Sequence, residues 1–129
     1  KNSPGYSNVV GIRGSLNSKQ LNNNGENDEF LSDYQLLQNH PNPFNPSTII
    51  QYALPEESSV SLVIYDLMGK EISNWTYQNE PAGYQQITWN GTDRNGKRVP
   101  AGIYIYKLTA RSNKTYRTFS QNRKLVLLK

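Results

Sequence analysis

The segment His40-Pro41-Asn42-Pro43-Phe44-Asn45-Pro46-Ser47 constrains this chain more than any other. Each proline fixes its own φ and drives the preceding residue out of the α region, so no helix crosses here. The asparagines between them tolerate turn conformations and bond their own backbone. The expected result is a rigid, irregular turn with Phe44 as a hydrophobic plug inside it. Strand-like text follows at once in Thr48-Ile49-Ile50-Gln51-Tyr52-Ala53-Leu54. The proline turn is therefore read as the entry to a β domain.

After Tyr34 the pattern is β throughout. Strands are expected near residues 34–38, 48–54, 60–67, 71–77, 84–90, 102–111 and 116–128. Turn signals separate them: Pro55-Glu56-Glu57-Ser58, Met68-Gly69, Pro81-Ala82-Gly83, Asn95-Gly96, Pro100-Ala101-Gly102 and Ser112-Asn113. Seven short strands with a turn about every ten residues predict an antiparallel β-sandwich. Val60, Leu62 and Ile64 form an aliphatic face. With Trp89, Tyr104, Leu108, Val126 and Leu128 they are the expected core. The final run, Lys124-Leu125-Val126-Leu127-Leu128, is almost continuously apolar and is expected inside a sheet.

One hundred and twenty-nine residues favour a single domain. The chain has no cysteine, which excludes a disulfide frame and a Cys-based metal site. No apolar run approaches the roughly 20 residues of a membrane helix, so membrane insertion is not expected. There is no signal peptide, and the first residue is Lys1, as expected of a processed chain or a piece of a longer one. All ten acids lie between Glu26 and Asp93, and all the charges from Arg94 to Lys129 are basic. These bases alternate with apolar residues, as in Tyr106-Lys107-Leu108, and are read as a solvated sheet face. Nucleic-acid binding is not expected, because no recognised binding motif accompanies the charge.

Candidate sites are few. The loop Trp89-Asn90-Gly91-Thr92-Asp93-Arg94-Asn95-Gly96-Lys97 offers oxygens to calcium. Its spacing fails the loop rule, since Gly91 stands where a carboxylate is needed. A tight Asn-Gly hairpin is the preferred reading, with Trp89 in the core and its indole N–H on a backbone carbonyl. His40 is the single histidine and cannot build an ordinary zinc site alone. No serine sits in a nucleophile elbow, and Glu56-Glu57 are adjacent turn residues. Neither catalysis nor a cofactor is expected. Tyr104 and Tyr106, sharing one strand face, with Tyr84 elsewhere, offer a sugar-binding row as an alternative to core packing. The sequons at Asn74, Asn90 and Asn113 are read as chance matches.

Residues 35–129, about three quarters of the chain, resemble a known family. The matching text is LLQNHPNPFNPSTIIQYALPEESSVSLVIYDLMGKEI, then PAGYQQITWNGTDRNGKRVPAGIYIYKLTA, then RKLVLLK. It is similar to the C-terminal sorting domain (type A) of proteins exported by the type IX secretion system. It is similar also to the Ig-like domain of the flagellar hook-capping protein. The resemblance implies an Ig-like sandwich that is secreted or held at the outer surface of a bacterium. It implies secretion machinery as partner. It implies that targeting information lies in Pro41, Asn42, Pro43, Phe44, Asn45 and Pro46, in Gly102 and Tyr104, and in Lys124, Leu125, Val126, Leu127 and Leu128.

Residues 1–34 fall outside the resemblance. Asn22-Asn23-Asn24-Gly25-Glu26-Asn27-Asp28-Glu29 reads as a flexible linker. Residues 9–16 differ, because Val10, Ile12, Gly14 and Leu16 share one face of an extended strand. A lone strand needs a sheet to join. This supports an alternative function of another class: a subunit of an extracellular filament or surface layer, built as a homo-polymer by donating this strand to a neighbour. Seven strands leave no obvious place for an eighth in the parent domain. A glycan-binding accessory module is a third reading.

Overall fold

The structure, a computed structural model, describes residues 18–21 and 27–128. Val10, Ile12, Gly14 and Leu16 lie outside the described residues. The first two strands, β1 (Ser18–Leu21) and β2 (Asn27–Phe30), pair with each other from Ser18↔Phe30 to Leu21↔Asn27. Part of the expected linker is thus a small ladder. The backbone groups of two polar strands satisfy one another, and polar composition does not prevent that.

Seven further strands make two sheets. In chain order they are β3 (Gln35–Leu36), β4 (Thr48–Leu54), β5 (Ser58–Tyr65) and β6 (Glu71–Glu80). Then come β7 (Gly83–Trp89), β8 (Gly102–Ser112) and β9 (Thr118–Leu127). The smaller sheet has the order β3-β4-β7 and the larger β6-β5-β8-β9, with every neighbouring pair antiparallel. Among the described residues there is no helix. The predicted sandwich of about seven strands is what forms.

The alternation in the sequence explains the layers. Ile50, Tyr52 and Leu54 point inward from β4, and Val60, Leu62 and Ile64 from β5. Tyr104, Tyr106, Leu108 and Ala110 do so from β8. Each fully buried large apolar side chain contributes about 1.5–3 kcal/mol relative to exposure. The outward residues Lys107 and Arg111 are exposed, as the alternating bases predict. Packing also reaches upstream of residue 35. Leu31 packs against Ala53 and Tyr84, and the Tyr34 ring stacks on Phe119 at 5.5 Å. At the pole holding the β4–β5 turn, the Glu56 carboxylate accepts from the hydroxyls of Ser112 and Thr115. The Ser112 bond is the chief cause that holds its pKa below the ordinary value.

Two expected core residues are corrected. Val126 is half-buried and Leu128 is half-exposed, whereas Leu125 and Leu127 are buried. In a run apolar on both faces, period two carries no information about which face turns inward. The partner strand decides: Leu125 lies opposite inward Tyr104, and Leu127 opposite Gly102. β9 is also the outer strand of its sheet and does not sit inside it. In urea unfolding, Leu127→Ala is expected to cost about 2–5 kcal/mol. Leu128→Ala is expected to cost less than about 1 kcal/mol. Equal losses would contradict this register.

Candidate functional site: the motif-bearing pole

The proline turn is not self-supporting. Asn39, buried just before it, donates its side-chain amide to the Pro41 carbonyl (3.1 Å) and to Thr48 Oγ1 (2.9 Å). Thr48 Oγ1 donates to the same Pro41 carbonyl at 2.8 Å. The Tyr106 hydroxyl donates to Leu37 O and accepts from Asn39 N–H, each at 2.8 Å. Burial pushes the Tyr106 phenol up to about 12, so it stays neutral and able to donate. Isolated ladder pairing of His40 with Ile49 closes the base of the turn, and His40 itself is exposed.

Held this way, Phe44 enters the core as the proline spacing predicts and is 1% exposed. Its ring lies 5.5 Å from Trp89, and Trp89 lies edge-on to Tyr104 at 5.5 Å. Its backbone does equal work. Phe44 N–H donates to Val126 O and Leu128 N–H donates to Phe44 O, both at 2.9 Å. Asn42 Oδ1 accepts from Val126 N–H at 3.0 Å. The turn thereby covers the outer edge of β9 where that strand ends, which removes a free template for pairing. Pro41, Pro43, Asn45 and Pro46 face solvent around this anchor, as does Lys124. Gly102 and Tyr104 stand at the start of β8, opposite Leu127 and Leu125. Every residue marked by the resemblance except Lys124 therefore belongs to one pole or to the core directly beneath it.

The same pole carries a feature the strand pattern did not disclose. Asp66-Leu67-Met68-Gly69-Lys70 and Asp93-Arg94-Asn95-Gly96-Lys97 have one design. In the first, Asp66 Oδ1 accepts the N–H groups of Met68 and Lys70, and Asp66 N–H donates to Lys70 O. In the second, Asp93 Oδ1 accepts from Asn95 and Lys97, and Asp93 N–H donates to Lys97 O. Both need a left-handed residue at the fourth position, supplied by Gly69 (φ +86°) and Gly96 (φ +82°). The repeated D-x-x-G-K text was the available signal. The two turns are tied by Arg94 N–H on Ile72 O (3.1 Å) and by an Arg94–Glu71 ion pair at 3.5 Å. Between them and the start of β8 lies a groove of about 580 Å³, lined in part by Lys70, Glu71, Lys97 and Ile103.

Two sequence readings are corrected here. The Asn95-Gly96 turn is tight, but it closes an isolated Thr92–Arg98 bridge instead of joining two long strands. The reason is Asp93, whose carboxylate gathers the turn before strand pairing can continue. The sugar-binding row also fails. Tyr104 and Tyr106 are buried with their hydroxyls on backbone carbonyls, so neither ring face is offered to a ligand. The Trp89 indole N–H does bond backbone, at Thr92 O (2.8 Å). Among the described residues no cluster of three His, Asp or Glu side chains suits a metal ion.

Phe44→Ala is expected to cost about 3–5 kcal/mol in chemical denaturation. A cost below about 1 kcal/mol would show that the ring is not an anchor. Asp66→Ala and Asp93→Ala, each losing two amide hydrogen bonds, are expected to cost about 1–2 kcal/mol apiece. The corresponding Asn variants should lose much less, because an amide oxygen fills the same role.

Comparison with known proteins places the chain in a family. The FlgD Ig-like domain family matches residues 45–114, more than half of the chain. A domain of latent dimeric PorU from Porphyromonas gingivalis superposes with a TM-score of 0.60 at 18% identity, covering 74% of this chain and 9% of that one. FlgD from Pseudomonas aeruginosa superposes with a TM-score of 0.52 at 20% identity, covering 74% of this chain and 69% of that one. The chain thus spans less than a tenth of the PorU chain, and at such identities the likeness concerns the fold. No curated protein matches the sequence. The match across residues 45–114, together with this sandwich, shows that the chain belongs to the FlgD Ig-like domain family.

Proposed function

We propose that this domain is a non-catalytic export and surface-attachment module of the type IX sorting kind, presented outside the cell or at the outer surface of a bacterium. The observation that carries the reading is the assembly of one pole. The proline turn grips the end of β9 by backbone hydrogen bonds, so the terminal strand is readable only in the folded state. A secretion machine that must export folded cargo gains a fold-dependent signal from this arrangement. The exposed part of that signal is the turn itself with Leu128, and Lys124 stands further along β9. The likeness to a PorU domain and the family membership are consistent with it.

A second reading is favoured by a different observation. Among the described residues β7 is an outer strand of its sheet. That edge suits a filament subunit assembled by donation of residues 9–16 from a neighbour. Size in solution separates the two, since an export module is a monomer and a donated-strand filament is not.

The export reading is tested by fusing the chain to the C-terminus of a reporter in a bacterium with a type IX system. The fusion is expected to reach the surface or medium. Lys124→Glu with Leu128→Asp should keep the melting temperature within a few degrees yet leave the reporter inside. Export that ignores these exposed changes, or a wild-type fusion that stays inside, would refute the assignment.

A further inference from the structure

The groove between the twin Asp turns sorts its charges by depth. Asp66, Glu71 and Asp93 are half-buried, and each already has donors. Asp66 and Asp93 hold two backbone amides apiece, while Glu71 accepts from Asn74 and pairs with Arg94. Lys70, Arg94, Lys97 and Arg98 line the same groove and are exposed. Among the described residues Arg94–Glu71 is the only ion pair, so Lys70, Lys97 and Arg98 meet no carboxylate there. A molecule arriving from solvent therefore meets positive charge first.

The same surface carries apolar side chains that the turns do not require. Leu67 is 65% exposed and Met68 92%. The second turn is the internal control, because Arg94 and Asn95 fill the same two positions of the same Asp-x-x-Gly-Lys frame. That frame accepts polar residues at both positions, and its hydrogen bonds call for neither Leu nor Met. Ile103, at the start of β8, also lines the groove and is 41% exposed. The groove volume of about 580 Å³ falls within the range of roughly 300–1,000 Å³ usual for ligand sites.

We propose that this groove binds an extended peptide segment of a partner protein, one that carries both carboxylates and aliphatic side chains. Charge complementarity selects the carboxylates, which Lys70, Lys97 and Arg98 would pair. The exposed Leu67, Met68 and Ile103 select the aliphatic groups. An anionic sugar would call for an open aromatic face, and the one aromatic ring lining the groove, Tyr104, is buried. A flat lipid surface would meet the Leu67-Met68 tip and leave the groove unfilled. Both walls are turns already fixed by hydrogen bonds, so binding costs little ordering on this side. The inference is independent of the export reading, which rests on the proline turn and the end of β9.

The test uses the full chain, isotope-labelled, and a capped synthetic peptide of alternating glutamate and leucine. Titration at low salt is expected to give saturable amide shifts at residues 66–70, 94–98 and 103, which fade as salt is added. Lys70→Glu with Lys97→Glu should weaken binding about tenfold or more. Leu67→Ser with Met68→Ser should weaken it several-fold. Both variants spare the Asp and Gly of each turn, so their melting temperatures should stay within a few degrees of wild type. Lys114→Glu, in the β8–β9 turn at the opposite pole, should change nothing. The absence of a saturable shift would overturn the proposal. So would equal binding of a glutamine–leucine peptide, or shifts no larger here than at Lys107 and Arg111 on the basic sheet face. Shifts at these residues from heparin or from phosphatidylglycerol vesicles, with none from the peptide, would give the site to a glycan or a lipid and overturn it too. Export by the fusion can succeed or fail under any of these outcomes.

Discussion

The insertion of Phe44 between the ends of β4, β7 and β9 is the contact on which the pole depends. It acts twice. The ring fills the end of the core against Trp89, in series with Tyr104. The backbone takes Val126 O and Leu128 N–H, two groups at the end of β9's outer edge. A side chain alone would leave that edge open, and a strand alone would leave the core unsealed. Prolines on either side hold the conformation that lets one residue do both. Loss of Phe44 is thus felt at Val126 and Leu128 as well as in the core.

Around that anchor, polar groups are placed by burial and not by exposure. Asn39, Thr48 and Tyr106 form a closed set whose hydrogen bonds replace water inside the turn. A buried polar network of this kind is worth keeping only when every member is satisfied, and these members satisfy one another. The twin Asp turns follow the same principle at the surface. Each carboxylate gathers two amides through its Oδ1, which fixes the loop. The groove between them is therefore bounded by rigid backbone, with Lys70 and Lys97 at equivalent positions of its two walls.

The uneven sheets give the domain two different sides. One is locked by Arg123 and Gln38 reaching across to or from β3. On the other, Trp75 of β6 is half-buried and Tyr77 is exposed. Natural sheets seldom leave a long edge without lysine, proline or a covering segment, because such an edge pairs indiscriminately. β6 and β7 together carry no lysine, arginine or proline.

Sequence alone determined the class of this fold. Prolines excluded a helix, alternation set the strands, Thr48–Leu54 was placed to the residue, and Phe44 and Trp89 were assigned to the core. These features are local, so local text suffices. The tertiary structure alone decided which face of Leu125-Val126-Leu127-Leu128 turns inward, because that run is apolar on both faces and only its partner β8 breaks the tie. It alone buried Tyr106 and joined Asn39 to it across 67 positions of chain. It also showed that seven strands need not close both sheets equally. Strand number is written in the sequence, but the division of strands between sheets depends on long-range pairing that no window of residues contains.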